Sequence, residues 1–364
     1  MSCRVLIMAG GTGGHIFPAL AVARELERAD ASVRWLGARG GMETRIVPEA
    51  GIEMDTIRIK GLRGNGATGW LLSPARLCVA AAQVLVVILR FRPDVVLGMG
   101  GFVSGPGGFV SWLLHRPLVV HEQNAIPGLT NRLLARIAAR TMTAFKGAFA
   151  SRSCVEFVGN PVRAEILDLP APRQRFSDRE ATIRLLILGG SLGAQALNET
   201  LPDILSDYAK GAPFEVWHQA GRSRDEATRA SYAQHGISAR VEPFIADMAE
   251  AYCWADLVIC RAGALTLSEL MAVGLGAVLV PYPHAVDDHQ TVNARDMVDA
   301  GAARVIQQGA GFRERLGQVL NELVFNTTTT NPRQDLLVMA EAARRLAMPG
   351  ASKRVAQVCM EAAG

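Results

Sequence analysis

Residues 8–20 read MAGGTGGHIFPAL and follow the apolar run Val5, Leu6, Ile7. Four glycines ahead of a helical stretch let a ligand approach the backbone closely. The helix start adds free N–H groups and a partial positive charge, a setting suited to phosphate. Two standard phosphate fingerprints are excluded: G-x-G-x-x-G from Gly11 needs glycine where Ile16 stands, and no Gly-Lys-Ser/Thr follows. His15 falls at this helix start, where the dipole disfavours imidazolium and favours the neutral ring that a general base requires. A polar helix cap is the alternative reading of the same residue. VVHEQN (119–124) sets Glu122 and Asn124 at the end of another apolar run, and thus on the same side of a sheet.

The second half carries a comparable set. LGGSLGAQ (188–195) and, in the first half, GMGGFVSGPGG (98–108) are glycine loops that follow strands. In DLVICRAGALTLSEL (256–270) a buried strand ends at Cys260 and a turn of small residues enters a helix. The first-turn amides of Ala264, Leu265 and Thr266 suit a diphosphate, and Glu269 is spaced to accept hydrogen bonds from both hydroxyls of a ribose. Complementing the helix dipole is the alternative role for Glu269. VPYPHAVDDHQTVNA (280–294) adds Asp288, His289 and Gln290, which read equally well as a solvated loop. No D-x-D occurs, so a metal held by paired aspartates is not indicated, and a departing diphosphate would rely on helix starts and on Arg163 and Arg261.

The elements that must position these residues follow a repeated rhythm. RVLIMAGGTGGH from Arg4 returns in outline as RLLILGGSLGAQ from Arg184, as two similar units in one chain would produce. Strands are expected at Val5–Met8, Val33–Leu36, Val95–Leu97, Leu118–Val120, Thr141–Phe145 and Val155–Val158. A second series is expected at Leu185–Leu188, Phe214–His218, Ala239–Phe244, Leu257–Cys260, Ala277–Pro281 and Ala303–Ile306. Continuous apolar runs of this kind mark parallel sheets covered on both faces. The reading is an α/β chain of two Rossmann-like, doubly wound domains facing a cleft. Residues 159–183, rich in proline and charge, are the linker.

A length of 364 residues agrees with two domains. The net charge of +4 hides an asymmetry: residues 1–160 hold 16 Arg and 2 Lys against 10 acidic residues, whereas 161–364 hold 20 basic and 24 acidic. A basic half attracts an anionic membrane or a phosphorylated substrate, while the lack of a basic stripe with interleaved aromatics argues against nucleic acid. The six cysteines have no metal or redox spacing and read as reduced thiols. The chain enters a strand almost at once, so no signal peptide is expected. Leu77–Leu89, with Gln83 inside, reads as too short to cross a bilayer. Around residues 69–92, Trp70, Leu71 and Arg76, with Trp112, form a candidate interfacial surface. Val84–Leu89 reads instead as a core helix.

Seven motifs in order, GGTGGH, GMGGFVSGPGG, HEQN, GNPVR, GGSLGA, RAGALTLSE and DDHQTVNA, resemble the MurG family of GT-B glycosyltransferases across nearly the whole chain. The resemblance implies an inverting transfer of N-acetylglucosamine from UDP-N-acetylglucosamine to the 4-hydroxyl of undecaprenyl-diphosphate-linked MurNAc-pentapeptide, with no cofactor. It implies that Thr12, Gly13, Gly14 and Asn124 line the donor sugar and acceptor, and that Arg163 and Ser191 meet the diphosphate. Ile245 would present backbone to uracil, Ala264, Leu265 and Thr266 would take phosphate, and Leu267 and Ser268 would also belong to the substrate-binding segment. Glu269 would hold ribose and Gln290 the sugar hydroxyls. Either His15 or Glu122 would be the base. The domains would be 1–161 and 162–339, with a helix 340–362 returning to the first. The expected location is peripheral, on the cytoplasmic face of a bacterial inner membrane, with cell-wall and division machinery as further partners. UDP-N-acetylglucosamine 2-epimerases and other lipid-acceptor transferases of this fold are the alternatives.

Overall fold

A computed structural model describes the chain except residues 1, 60–72, 150–153, 178, 180, 181, 191, 192, 210, 212 and 327–330. Contacts divide it into two units, residues 1–163 with 348–364, and residues 164–347.

The first unit is built on β1 (Arg4–Met8), β2 (Ser32–Ala38), β3 (Met54–Ile57), β4 (Val95–Gly98), β5 (Leu118–Glu122), β6 (Arg140–Thr143) and β7 (Val155–Phe157). They form a parallel sheet in the order β3-β2-β1-β4-β5-β6-β7. β1, β4 and β5 are buried on both faces, which explains their unbroken apolar sequence. β3 was not expected from the sequence. It is an edge strand reading MDTI, and an edge tolerates the Asp and Thr that hide its pattern.

The helix Gly13–Arg28 covers one face of this sheet together with the helix Ala351–Ala363, whose Val355, Val358 and Cys359 share a core with Val5, Ile7 and Val22. Two helices follow Asn331, as the sequence leads one to expect, but the part that returns to the first unit is shorter than the expected 340–362. Pro332–Arg345 stays with the second unit, Met348-Pro349-Gly350 interrupts the helical run, and only Ala351–Ala363 joins the first.

On the opposite face lies the helix Ser73–Phe91. It buries Ala80, Val84 and Ile88 against Leu6, Leu36 and Ile57, while Val79, Leu85, Val86 and Leu89 stay exposed. The core helix expected over Val84–Leu89 is therefore only half correct. The segment expected to be too short for a bilayer is also longer than its apolar centre: Pro74–Phe91 is long and apolar enough by length and composition. Its packing ties it to the sheet all the same, and Gln83 accepts the Arg58 N–H at 2.8 Å.

The second unit repeats the scheme with β8 (Ile183–Leu188), β9 (Phe214–Gln219), β10 (Ala239–Glu242), β11 (Leu257–Cys260), β12 (Gly276–Leu279) and β13 (Ala303–Val305), all parallel, ordered β10-β9-β8-β11-β12-β13. At the amino end of β11, the buried Asp256 pairs with Arg179 and Arg333 and accepts the Arg184 N–H at 2.9 Å. In both sheets the strand order reverses beside the first strand, at β1/β4 and at β8/β11. Sheets of this kind open a ligand crevice at the carboxyl ends of the strands flanking that point.

Candidate active site

Met8 pairs with Gly98, and Gly98 with Val120, so the loops after β1, β4 and β5 emerge side by side. The first loop is held from beneath by Glu43, a fully buried carboxylate. Its Oε2 accepts the Gly11 N–H at 3.1 Å and its Oε1 the Ala38 N–H at 2.9 Å. A Cβ on Gly10 or Gly41 would strike this side chain, so those glycines make room for it. The Gly11 amide therefore serves the loop's own structure. Thr12 is the exposed N-cap of the helix Gly13–Arg28, and Gly13, Gly14 and His15 are half-buried in its first turn.

The loop after β4 lies against the first. Gly100 and Gly101 have φ of +97° and +86°; a Cβ on Gly100 would meet the His15 ring, and one on Gly101 the Gly10 carbonyl. Ser104 Oγ donates to the carbonyls of Met8 (3.1 Å) and Gly100 (2.9 Å). Gly98 ends β4, and Gly105, Gly107 and Gly108 belong to the helix Ser104–Leu113. There Gly107 and Gly108 admit Met8 and Leu134, a packing role and not a ligand loop.

His15 Nδ1 lies 3.0 Å from Gln123 Oε1. Glu122, expected as the rival base, is almost fully buried and committed to its own loop: Oε1 accepts from Asn124 N and Nδ2, and Oε2 from Gly128 N and Asn131 Nδ2, at 2.9 to 3.2 Å. Asn124 is half-buried beside it. The Arg163 guanidinium sits 5.0 Å from the Phe17 ring on the helix Gly13–Arg28.

In the second unit Leu188, Cys260 and Leu279 are in register, so the loops that follow share one edge. Ser191 lies outside the described residues. Ile245 is buried and its N–H donates to Gln219 Oε1 at 3.0 Å, so of its backbone groups the carbonyl is the one left for a base. The helix Ala264–Val273 begins at Gly263 without a side-chain cap or a first-turn acid, and Leu265 and Thr266 are partly exposed. Leu267 is fully buried with its N–H bonded to Gly263 O, and Ser268 Oγ donates back to Ala264 O at 2.9 Å. Glu269 is buried, with Oε2 accepting the Tyr252 hydroxyl at 2.9 Å.

Arg261, a candidate for the diphosphate, is held within its own unit. Its guanidinium donates to the carbonyls of Val280 and Pro281 and to Gln308, and burial holds its pKa below the usual arginine value. Asp287 and Asp288 adopt left-handed φ of 54° and 48°, a sparsely populated conformation that turns the chain into the helix His289–Asp299. Gln290 Oε1 accepts the Tyr282 N–H at 2.9 Å.

Of the interfacial residues, Trp70 and Leu71 lie outside the described residues. Arg76 is exposed, as is Trp112, whose ring lies 5.9 Å from that of the exposed Phe109. Sequence reasoning missed Glu43, His121, Gln123, Gln219 and Tyr252, all of which hold a named site residue or its loop.

Comparison with known proteins places this geometry among relatives. Residues 5–143 match the glycosyltransferase family 28 N-terminal domain and residues 184–348 the glycosyltransferase family 28 C-terminal domain. The chain is 51% identical, over 99% of its length and 98% of the relative, to a Marinobacter nauticus protein named UDP-N-acetylglucosamine–N-acetylmuramyl-(pentapeptide) pyrophosphoryl-undecaprenol N-acetylglucosamine transferase. It is 51% identical over its full length to a Nitrosococcus oceani protein of the same name, covering 99% of that protein. The crystal structure of Acinetobacter baumannii MurG superposes with a TM-score of 0.83 at 40% identity, covering 99% of each chain.

Proposed function

This chain belongs to glycosyltransferase family 28, and from that premise we propose that it moves N-acetylglucosamine from UDP-N-acetylglucosamine to the 4-hydroxyl of undecaprenyl-diphosphate-linked MurNAc-pentapeptide, with inversion at the anomeric carbon. The observation that carries the proposal is the 51% identity, end to end, with relatives bearing that transferase name.

In the second unit, the partial positive charge at the start of the helix Ala264–Val273 suits the diphosphate, with Ser191 as a further donor, and Arg163, the last residue of the first unit before the chain crosses, is a candidate cation for it. Glu269 accepts from the ribose hydroxyls, the Ile245 carbonyl meets the uracil N–H, and the Gln290 amide takes hydroxyls of the sugar. In the first unit, Thr12, Gly13, Gly14 and Asn124 line the sugar and the acceptor. His15 takes the proton from the attacking hydroxyl as UDP departs through an oxocarbenium-like transition state. His15 is preferred to Glu122 because both oxygens of Glu122 are already occupied by its loop. Charge developing on UDP is met by amides and arginine fixed before the reaction, which need no reorganisation.

We further propose docking to an anionic membrane on its cytoplasmic side. Val79, Val86 and Leu89 of the helix Ser73–Phe91, with Phe109, Trp112 and Leu113 of the helix Ser104–Leu113, give an exposed apolar surface, and Arg76 and Arg90 are exposed beside it.

The deciding assay follows UDP from UDP-N-acetylglucosamine with and without a lipid-linked MurNAc-pentapeptide analogue. Release that depends on acceptor and yields a disaccharide is expected. Release or sugar inversion at carbon 2 without acceptor would establish an epimerase instead.

A further inference from the structure

The buried residues behind His15 form a directional chain. His121, fully buried at the end of β5, has Nε2 at 2.9 Å from the Gly159 carbonyl and Nδ1 at 3.1 Å from Gln123 Nε2. Burial pulls the His121 pKa down to about 4, so this ring is neutral near pH 7. A neutral imidazole has one N–H, and a carbonyl can only accept, so the N–H sits on Nε2 and donates to Gly159. Nδ1 then holds a lone pair that needs a donor, which the Gln123 amide nitrogen supplies. The same nitrogen also donates to the His121 carbonyl at 3.2 Å, and Asn160 Nδ2 donates to the Gln123 carbonyl at 3.1 Å. Turning the Gln123 amide over would set its oxygen against a lone pair and a carbonyl together. The amide oxygen must therefore face His15, where it lies 3.0 Å from Nδ1.

We propose that Gln123 and His121 are positioning residues that hold His15 in the Nδ1–H tautomer, leaving Nε2 as its basic nitrogen. The proton arrangement is dictated from the Gly159 carbonyl outward, through two side chains that do not touch substrate. Gln123 here supplies by a neutral amide the orientation that a carboxylate supplies in other histidine bases. The inference rests on the reading of His15 as the base.

The test is long-range proton–nitrogen correlation spectroscopy on the full chain labelled with 15N-histidine, alongside steady-state kinetics. His15→Gln identifies the His15 signals. In the unsubstituted protein the protonated nitrogen of His15 should be Nδ1; an Nε2–H ring overturns the proposal, and this spectrum decides even if no variant folds. Gln123→Leu removes the acceptor. It should move the His15 signals toward an average of both tautomers and lower kcat about 10–100-fold, with the KM for UDP-N-acetylglucosamine held within about twofold. Gln123→Glu keeps an acceptor opposite Nδ1 and should retain the Nδ1–H signals. Retention of a single Nδ1–H tautomer in Gln123→Leu overturns the positioning role. Near-full kcat in His15→Gln sinks the base assignment alone, because the tautomer is read without turnover.

Discussion

At the level of single residues, the site spends its buried polar groups on holding other groups. Glu43, Glu122 and Gln219 each fix backbone N–H groups of a loop, and none of these contacts needs a ligand. Glu269, which accepts the Tyr252 hydroxyl, stands midway along a helix that has no side-chain cap. Replacing Glu269 with alanine is expected to weaken UDP-N-acetylglucosamine binding by about 1–3 kcal/mol if two ribose hydrogen bonds are lost. Titration calorimetry checks this, and unchanged affinity would remove Glu269 from the ribose. The ionisable candidates stand out in the sequence: His15 and Glu269 follow glycine turns, and Glu122 ends an apolar run. Gln123 stood between Glu122 and Asn124 and was passed over, because a neutral amide shows its value only when both its neighbours in space are known. Glu43 was hidden for a similar reason, since it reaches the Gly11 loop from 32 residues away.

Among the elements, strands were the most readable part of the chain. VVLG, LVIC and GAVL are continuous apolar runs because both faces of the sheet are covered. Helices with one exposed apolar face were harder, since a run such as VLVVIL reads the same whether its second face meets protein or water. Only packing separates Val84 and Ile88, which are buried, from Val86 and Leu89, which are not. That exposed face carries its own prediction. Liposomes containing anionic lipid should retain the protein at low salt and release most of it at high salt, because arginine attraction is screened within about 10 Å at 0.1 M. Co-sedimentation measures this. Retention that ignores salt would mean that the arginines do not dock the protein, and no retention at any salt would remove membrane docking itself.

For the whole molecule, the return of residues 348–364 to the first unit has a consequence for how the protein is made. Synthesis runs from the amino end, and domains commonly close in that order. Here the first unit lacks Val355, Val358 and Cys359 until residues 351–363 are translated, while residues 164–347 already hold every strand of the second sheet. The later half of the message should therefore yield the earlier finished domain. Ribosome-bound chains ending near residue 347 are expected to show a protease-resistant second unit and a cleavable first one. Equal resistance of both would mean that the first unit closes without its last helix. On this expectation the helix Ala351–Ala363 sets the order in which the two units close.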